Sequence, residues 1–286
     1  MSPAACAERI TWRGLACTRL TLPNGDRVVV ADLGAQVLSW VASGAERLFL
    51  SPQAVLDGSA PIRGGIPVCF PQFNARGPLP KHGLARRATW QCDPAAAVVD
   101  PQQVQHSWRW QDDAASRAQW PYAFHAALTV TLRPGALTVQ LAAVNTGNEP
   151  WPFTAALHTY LHTDDVTQCQ LHGLQDLGYW DAAQAFAPAV QQGAVVFGGE
   201  VDRVYPAAPQ PLHLAGGVPR PLHIHQDAAW AETVVWNPGP SLCAQLADMA
   251  PDSWRHMLCV EAAQINQPAA LLPGARWQGS QTLTVG

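Results

Sequence analysis

Lysine is almost missing from this chain. Of 286 residues, Lys81 is the only one. Charged residues make up 13% of the sequence, the formal net charge is −4 and the pI is near 6.2. A general nucleic-acid binder needs a basic face, and so small and slightly acidic a charge supplies none. No apolar run reaches the roughly 18 residues of a membrane-spanning helix. The seven cysteines (Cys6, Cys17, Cys69, Cys92, Cys169, Cys243 and Cys259) are odd in number, scattered and free of any Cys-x-x-Cys pair. That spacing counts against a zinc cluster or a disulfide framework and fits reduced thiols. A Gly-x-Ser-x-Gly elbow, a phosphate-cradling P-loop and a dinucleotide glycine fingerprint are missing as well. Nucleophilic-serine hydrolases and NTPases drop out with them. Residues Met1 to Arg9 lack a basic start followed by an apolar run, so no signal peptide is expected. The expectation is a soluble, cytoplasmic protein with no membrane and no nucleic-acid partner.

Long helical periods are also lacking; Ser241 to Met249 is the best short candidate. What is present is period-2 alternation. Thr18 to Leu22 and Arg27 to Leu33 flank Pro23-Asn24-Gly25-Asp26, and Asn-Gly between two such runs is a strong hairpin signal. Tyr122 to Leu132 and Ala136 to Asn145, joined by Arg133-Pro134-Gly135, predict another hairpin. Trp108 and Trp110 alternate onto one face of Gln103 to Gln111. Ala35 to Val41, Arg47 to Leu50, Ala88 to Cys92, Trp151 to His162 and Leu258 to Gln264 are further strand candidates. Turn signals separate nearly all of these runs, as in a sandwich or barrel. With no repeat or linker in sight, the pattern predicts one domain, a large antiparallel β-sandwich of the all-β class.

Residues Arg63 to Arg87 organise the rest. Arg63 stands at one end; Lys81, His82, Arg86 and Arg87 stand at the other. Gly64 and Gly65 allow positive φ or a close backbone approach. Pro67, Pro71, Pro78 and Pro80 exclude a helix and fix much of the path. Such a rigid loop with basic ends suits the capture of a small anion; a structural loop with solvated arginines is the alternative. Two polar residues in apolar strands are the candidates for chemistry. Glu261 lies in Met257-Leu258-Cys259-Val260-Glu261-Ala262-Ala263, and His158 in Ala155-Ala156-Leu157-His158-Thr159-Tyr160. A buried Glu261 would have its pKa raised toward the range useful for proton transfer, whereas an exposed strand position would leave it ordinary. A satisfied core histidine is the alternative for His158. His158 and His162 have the four-residue spacing of a helical metal pair, but strand composition and the missing Glu of that motif count against a metal. Asp202-Arg203 reads as a surface ion pair, and His223-x-His225 as two imidazoles on one strand face.

Taken together, these stretches resemble a known family. Pro61-Ile62-Arg63-Gly64-Gly65-Ile66-Pro67-Val68-Cys69-Phe70-Pro71, His82-Gly83-Leu84-Ala85-Arg86, Leu157-His158-Thr159-Tyr160, Asp202-Arg203-Val204-Tyr205, Val235-Trp236-Asn237-Pro238 and Leu258-Cys259-Val260-Glu261 occur in this order. Leu272-Pro273-Gly274-Ala275-Arg276-Trp277 follows. The set looks like the glucose-6-phosphate 1-epimerases, hexose-6-phosphate mutarotases of the aldose 1-epimerase superfamily, over residues 15 to 285. The resemblance implies a galactose-mutarotase-like fold with its site in a groove on one sheet. It implies His158 and Glu261 as the general acid/base pair, His82 and Asp202 as substrate contacts, and Arg63 and Arg86 as holders of the 6-phosphate. No metal or organic cofactor is implied, the partner is a small sugar phosphate, and the chain would be a monomer or weak homodimer. Gln72-Phe73-Asn74 departs from the aromatic residue, Phe and Gly of many relatives. Arg86 is preferred over Arg87 by motif position alone.

The implied reaction interconverts α and β anomers of a hexose 6-phosphate. Glu261 would act as base toward the C1 hydroxyl and protonated His158 as acid toward the ring oxygen. A mutarotase for free aldoses and a carbohydrate-binding sandwich without turnover are the competing readings.

Overall fold

A computed structural model describes residues 4–286; Met1 to Pro3, part of the stretch searched for a signal peptide, lie outside the described residues. Three antiparallel sheets make up the described residues. The first is a five-stranded meander of Cys6–Trp12, Leu15–Thr21, Arg27–Ala31, Val37–Ala42 and Ala45–Glu46. Its predicted turn forms as expected: Gly25 takes φ 88° and the Asn24 carboxamide accepts from the Asp26 N–H at 3.0 Å. Arg133-Pro134-Gly135 likewise closes the hairpin of Phe124–Arg133 and Ala136–Asn145. Its Gly135 N–H donates to buried Asp26 at 2.7 Å, which docks that hairpin on the meander.

Ala136–Asn145 and Phe124–Arg133 belong to a nine-stranded sheet that runs from Val195–Val196 at one edge to Gln91–Asp100 at the other. An eight-stranded sheet faces it, centred on Val201–Pro206, Glu232–Asn237, Met257–Leu271 and Trp151–Leu157. Leu128, Val130, Leu141 and Leu283 from the nine-stranded sheet meet Leu157, Val235, Leu258 and Val260 from the other in one dry core. Between them Gln281 accepts from the Thr159 hydroxyl and donates to the Val260 carbonyl, so these two buried side chains are paired. The β-sandwich read from the sequence is the fold observed.

Several boundaries differ from the sequence reading. The run Trp151 to His162 is two strands, Trp151–Leu157 and Tyr160–His162, broken at His158-Thr159. The strand expected near Ala88 to Cys92 is Gln91–Asp100, whose pairing with Gln103–Gln111 shifts register past Asp93. Arg47 to Leu50 makes only isolated bridges at Leu48 and Leu50. The helix expected from Ser241 is the short Gly239–Cys243. Ala114–Gln119 is a helix that local composition did not announce, capped by Asp113 accepting from the Ser116 N–H. Among the described residues no helix is long and apolar enough to cross a membrane.

Candidate active site

Alternation along Met257–Leu271 creates the site. Leu258, Val260 and Ala262 point into the core between the sheets. Ala263 and Ile265 instead join Cys69, Phe73, Ala156, Val204 and Val234 in a smaller cluster on the opposite face. Side chains two residues apart share a face, so Glu261 projects on the side of that smaller cluster. Both faces of this strand are covered, which is why its neighbours in sequence are apolar on either side of Glu261.

His158 reaches the same face because the chain breaks just there. Its own N–H donates to the Pro67 carbonyl at 3.0 Å, the Thr159 N–H turns back to Leu157 at 2.9 Å, and the Tyr160 N–H resumes on Gly65 at 2.9 Å. Gly65 makes this approach possible. At φ 64° it lies against Val37, whose carbonyl oxygen would sit 2.0 Å from any added Cβ. The Gly64-Gly65 pair therefore serves backbone packing, not close contact with a ligand.

A cavity of about 340 Å³ opens on this face. All six residues singled out by sequence line it: Arg63, His82, Arg86, His158, Asp202 and Glu261. Lys81 lines it too, whereas Arg87 is exposed and reaches toward the Ser59 carbonyl instead. Which of the two adjacent arginines faces the cavity is thereby decided for Arg86. Asp202 is no surface ion pair: it sits on Val201–Pro206 opposite Trp236, while Arg203 turns to Asp181 and Gln191. His162 lies on an extended segment beside Asp164 and does not converge with His158.

His158 Nδ1 and Glu261 Oε1 lie 3.3 Å apart, and both side chains are almost wholly buried. Neither His158 Nδ1 nor Glu261 Oε2 has a hydrogen-bond partner within the protein. Buried polar atoms without partners are costly, so their joint presentation at a cavity floor marks a place built for a polar ligand. Burial holds Glu261 well above the usual carboxylate range, and the nearby Asp202 charge adds to it. Burial likewise holds His158 well below the usual imidazole range, with His82, Arg63 and Arg86 acting in the same direction.

His82 is a fixed donor. Its Nδ1 accepts from the Asn74 N–H at 3.2 Å and lies 3.1 Å from the Cys69 thiol. The remaining proton must then sit on Nε2. Burial first, then Arg86 and Lys81, push its pKa down to about 3. Asp202 is pushed up to about 6 by burial, with Glu200 and Asp181 contributing. Desolvation lowers Arg86, whose Nε is buried without a partner while Nη2 donates to the Lys81 carbonyl at 2.7 Å. Arg63 is held between Asp248 at 3.0 Å and the Tyr160 hydroxyl at 3.1 Å, and lies over the Trp236 ring. The Tyr160 ring in turn stacks on His158, with centroids 4.8 Å apart and planes within 8°. Cys259 brings a third donor atom within 4.8 Å of those of His158 and Glu261. Burial raises that thiol well above its ordinary pKa.

The sequence of this chain matches the family model described as aldose 1-epimerase over residues 17–284. The chain belongs to the aldose 1-epimerase family. A protein of Cenchrus ciliaris named "Putative glucose-6-phosphate 1-epimerase" is 34% identical over 263 residues, covering 88% of this epimerase and 79% of the relative. One of the same name from Salmonella typhimurium is 30% identical over 243 residues, covering 82% and 79%. Among solved structures, the Salmonella typhimurium mutarotase-like protein YeaD superposes with a TM-score of 0.88 at 26% identity, over 100% of this chain and 95% of that one. A galactose mutarotase-like protein from Clostridium acetobutylicum shares the fold at TM-score 0.77 and 13% identity, each chain being covered to 99%.

The epimerase cavity also holds residues to which sequence reasoning gave no role. Tyr160 lay inside a quoted motif, yet nothing in it told a wall residue from a core aromatic. Asp248, the carboxylate on Arg63, stands 185 positions away in sequence, in a segment with no motif. Arg76 and Phe186 meet at the rim, guanidinium over ring at 5.2 Å, in loops that no local pattern connects.

Proposed function

We propose that this epimerase interconverts the α and β anomers of D-glucose 6-phosphate, or of a closely related hexose 6-phosphate, by general acid–base opening and reclosure of the ring. One observation carries the reading: the His158–Glu261 pair shares a cavity with Arg63, Lys81 and Arg86. The names of the plant and bacterial relatives support the same substrate.

Opening a pyranose hemiacetal takes two proton transfers. Glu261 removes the proton of the C1 hydroxyl while His158 delivers one to the ring oxygen, and the C1–O5 bond breaks to leave a free aldehyde. Rotation about C1–C2 and the reverse transfers close the other anomer. His82 Nε2–H donates to a sugar hydroxyl, Asp202 accepts from another, and Trp236 offers an apolar wall. Proton transfers complete the reaction, so the chemistry calls on no cofactor. A reduced cytoplasm suits both a sugar phosphate and seven free thiols.

The phosphate has a second effect besides affinity. Arg63 and Arg86 help to hold His158 unprotonated. A phosphate dianion between them offsets both charges and favours the imidazolium acid and carboxylate base that the reaction needs. A free aldose does not supply that charge, and a purely binding sandwich would have no use for it.

Polarimetry of α-glucose 6-phosphate against α-glucose tests the proposal, with inorganic phosphate added to the second reaction. The expected result is fast anomer exchange of the phosphorylated sugar, slow exchange of glucose and stimulation of the latter by phosphate. Equal rates for both sugars would overturn the phosphate assignment; no acceleration of either would leave a binding protein.

A further inference from the structure

Four of the ten histidines lie far from this cavity, in three neighbouring strands of the nine-stranded sheet: Gln170–His172, Leu212–Ala215 and Leu222–Gln226. Leu171, Leu212, Leu214, Leu222 and Ile224 are buried in the core. Alternation therefore turns His172, His213, His223 and His225 to the outer face. The register sets His172 opposite His213, and His213 opposite His223. Ring centres are 6.1 Å apart in the first pair and 4.9 Å in the second, with planes tilted by 32° and 30°. The anomer-exchange machinery uses none of these residues.

We propose that His213 and His223 form a surface site for a divalent transition-metal ion, copper(II), nickel(II) or zinc(II), flanked by His172 and His225. Metal–imidazole bonds of about 2.0–2.1 Å, with bond angles of roughly 90–110° at the ion, keep two ring centres about 4.5–5.2 Å apart. The His213–His223 separation of 4.9 Å falls inside that interval. The 6.1 Å of His172–His213 falls outside it, which makes His172 a flanking group that joins only by turning its side chain. Both ligands belong to paired strands, so little backbone freedom is lost on binding. An all-imidazole donor set selects copper, nickel and zinc over calcium and magnesium.

Equilibrium dialysis of the untagged full-length protein with copper(II) or nickel(II) at pH 7.5 provides the test, alongside electron paramagnetic resonance of the copper form. The expected result is one bound ion with nitrogen coupling from two imidazoles. His213→Asn and His223→Asn should each weaken binding by roughly tenfold or more, about 1.4 kcal/mol, and His172→Asn by less. Anomer exchange should be unchanged in all three variants. Unaltered binding in the His213→Asn/His223→Asn double variant would overturn the proposal. So would loss of binding in Cys259→Ser, since that would place the ion in the catalytic cavity.

Discussion

The two faces of the strand Met257–Leu271 are built from neighbouring residues and obey opposite rules. On the inner face, Leu258, Val260 and Ala262 are wholly buried among apolar groups, and the one polar intruder, Gln281, has its hydrogen bonds met. On the outer face, Glu261 is just as buried, yet one carboxylate oxygen has no partner and its pKa is driven upward. A satisfied face contributes stability and has nothing to offer a ligand. An unsatisfied one costs stability and holds its polar atoms ready for a substrate. The contrast shows that burial by itself says little about role; on this strand a buried ionisable group without a full set of partners is what sets the outer face apart.

Substitutions should separate the two faces cleanly. Glu261→Gln keeps the shape but removes the proton carrier, and anomer exchange measured by two-dimensional NMR should fall by about 10²–10⁴-fold. Its melting temperature should stay level or rise, because a buried ionisable group is gone. Retained exchange would remove Glu261 from the chemistry. Leu258→Ala, three residues away, should do the reverse. It should cost about 2–5 kcal/mol in urea unfolding and leave the turnover of the folded fraction near that of the parent.

Arg86→Ala tests the cationic rim of the outer face. Charge-assisted hydrogen bonds are each worth roughly 1.5–3 kcal/mol. KM for the sugar phosphate should therefore rise about ten- to a hundredfold, with far less change for the unphosphorylated sugar. The matching change at exposed Arg87 should alter neither, and equal effects at both positions would contradict the cavity assignment.

His82 gives the smallest effect, seen in pH dependence. Its folded pKa of about 3 lies below the ordinary 6.5. The unfolded chain takes up a proton that the folded one refuses, so the stability from this residue is present above pH 6.5 and is lost as pH falls toward 3. The slope is about 1.4 kcal/mol per pH unit for one histidine. The stability difference between the parent and His82→Asn should shrink at that rate from pH 6.5 to 5 in thermal melts. A difference independent of pH would mean that His82 titrates normally.

Much of the site was legible before any coordinates. Arg63, His82, Arg86, His158, Asp202 and Glu261 stood in ordered motifs, and all six line one cavity. The strands were legible where alternation and turn residues agreed, as at Asn24-Gly25 and Arg133-Pro134-Gly135. They were misplaced where long-range contacts took over. The break at His158 depends on the Pro67 and Gly65 carbonyls, about ninety positions away, so no local window could show it. The hairpin of Gly178–Asp181 and Ala187–Val190, which brings Phe186 to the cavity rim, has weak β-propensity and was not foreseen. The histidine ladder was half visible: His223-x-His225 could be seen along one strand, but His172 and His213 joined it only through cross-strand register.

By itself, the amino-acid order determined the β-rich class, the turns and the identity of the groups that can move protons or hold phosphate. Those properties are carried by side-chain chemistry and by contacts within a few residues. Tertiary structure alone decided that Glu261 faces the cavity, that Arg86 and not Arg87 lines it, and that burial drives the Glu261 pKa upward. Each of these depends on which distant segments exclude water from a given atom, and desolvation is a property of packed neighbours, not of a position in the chain.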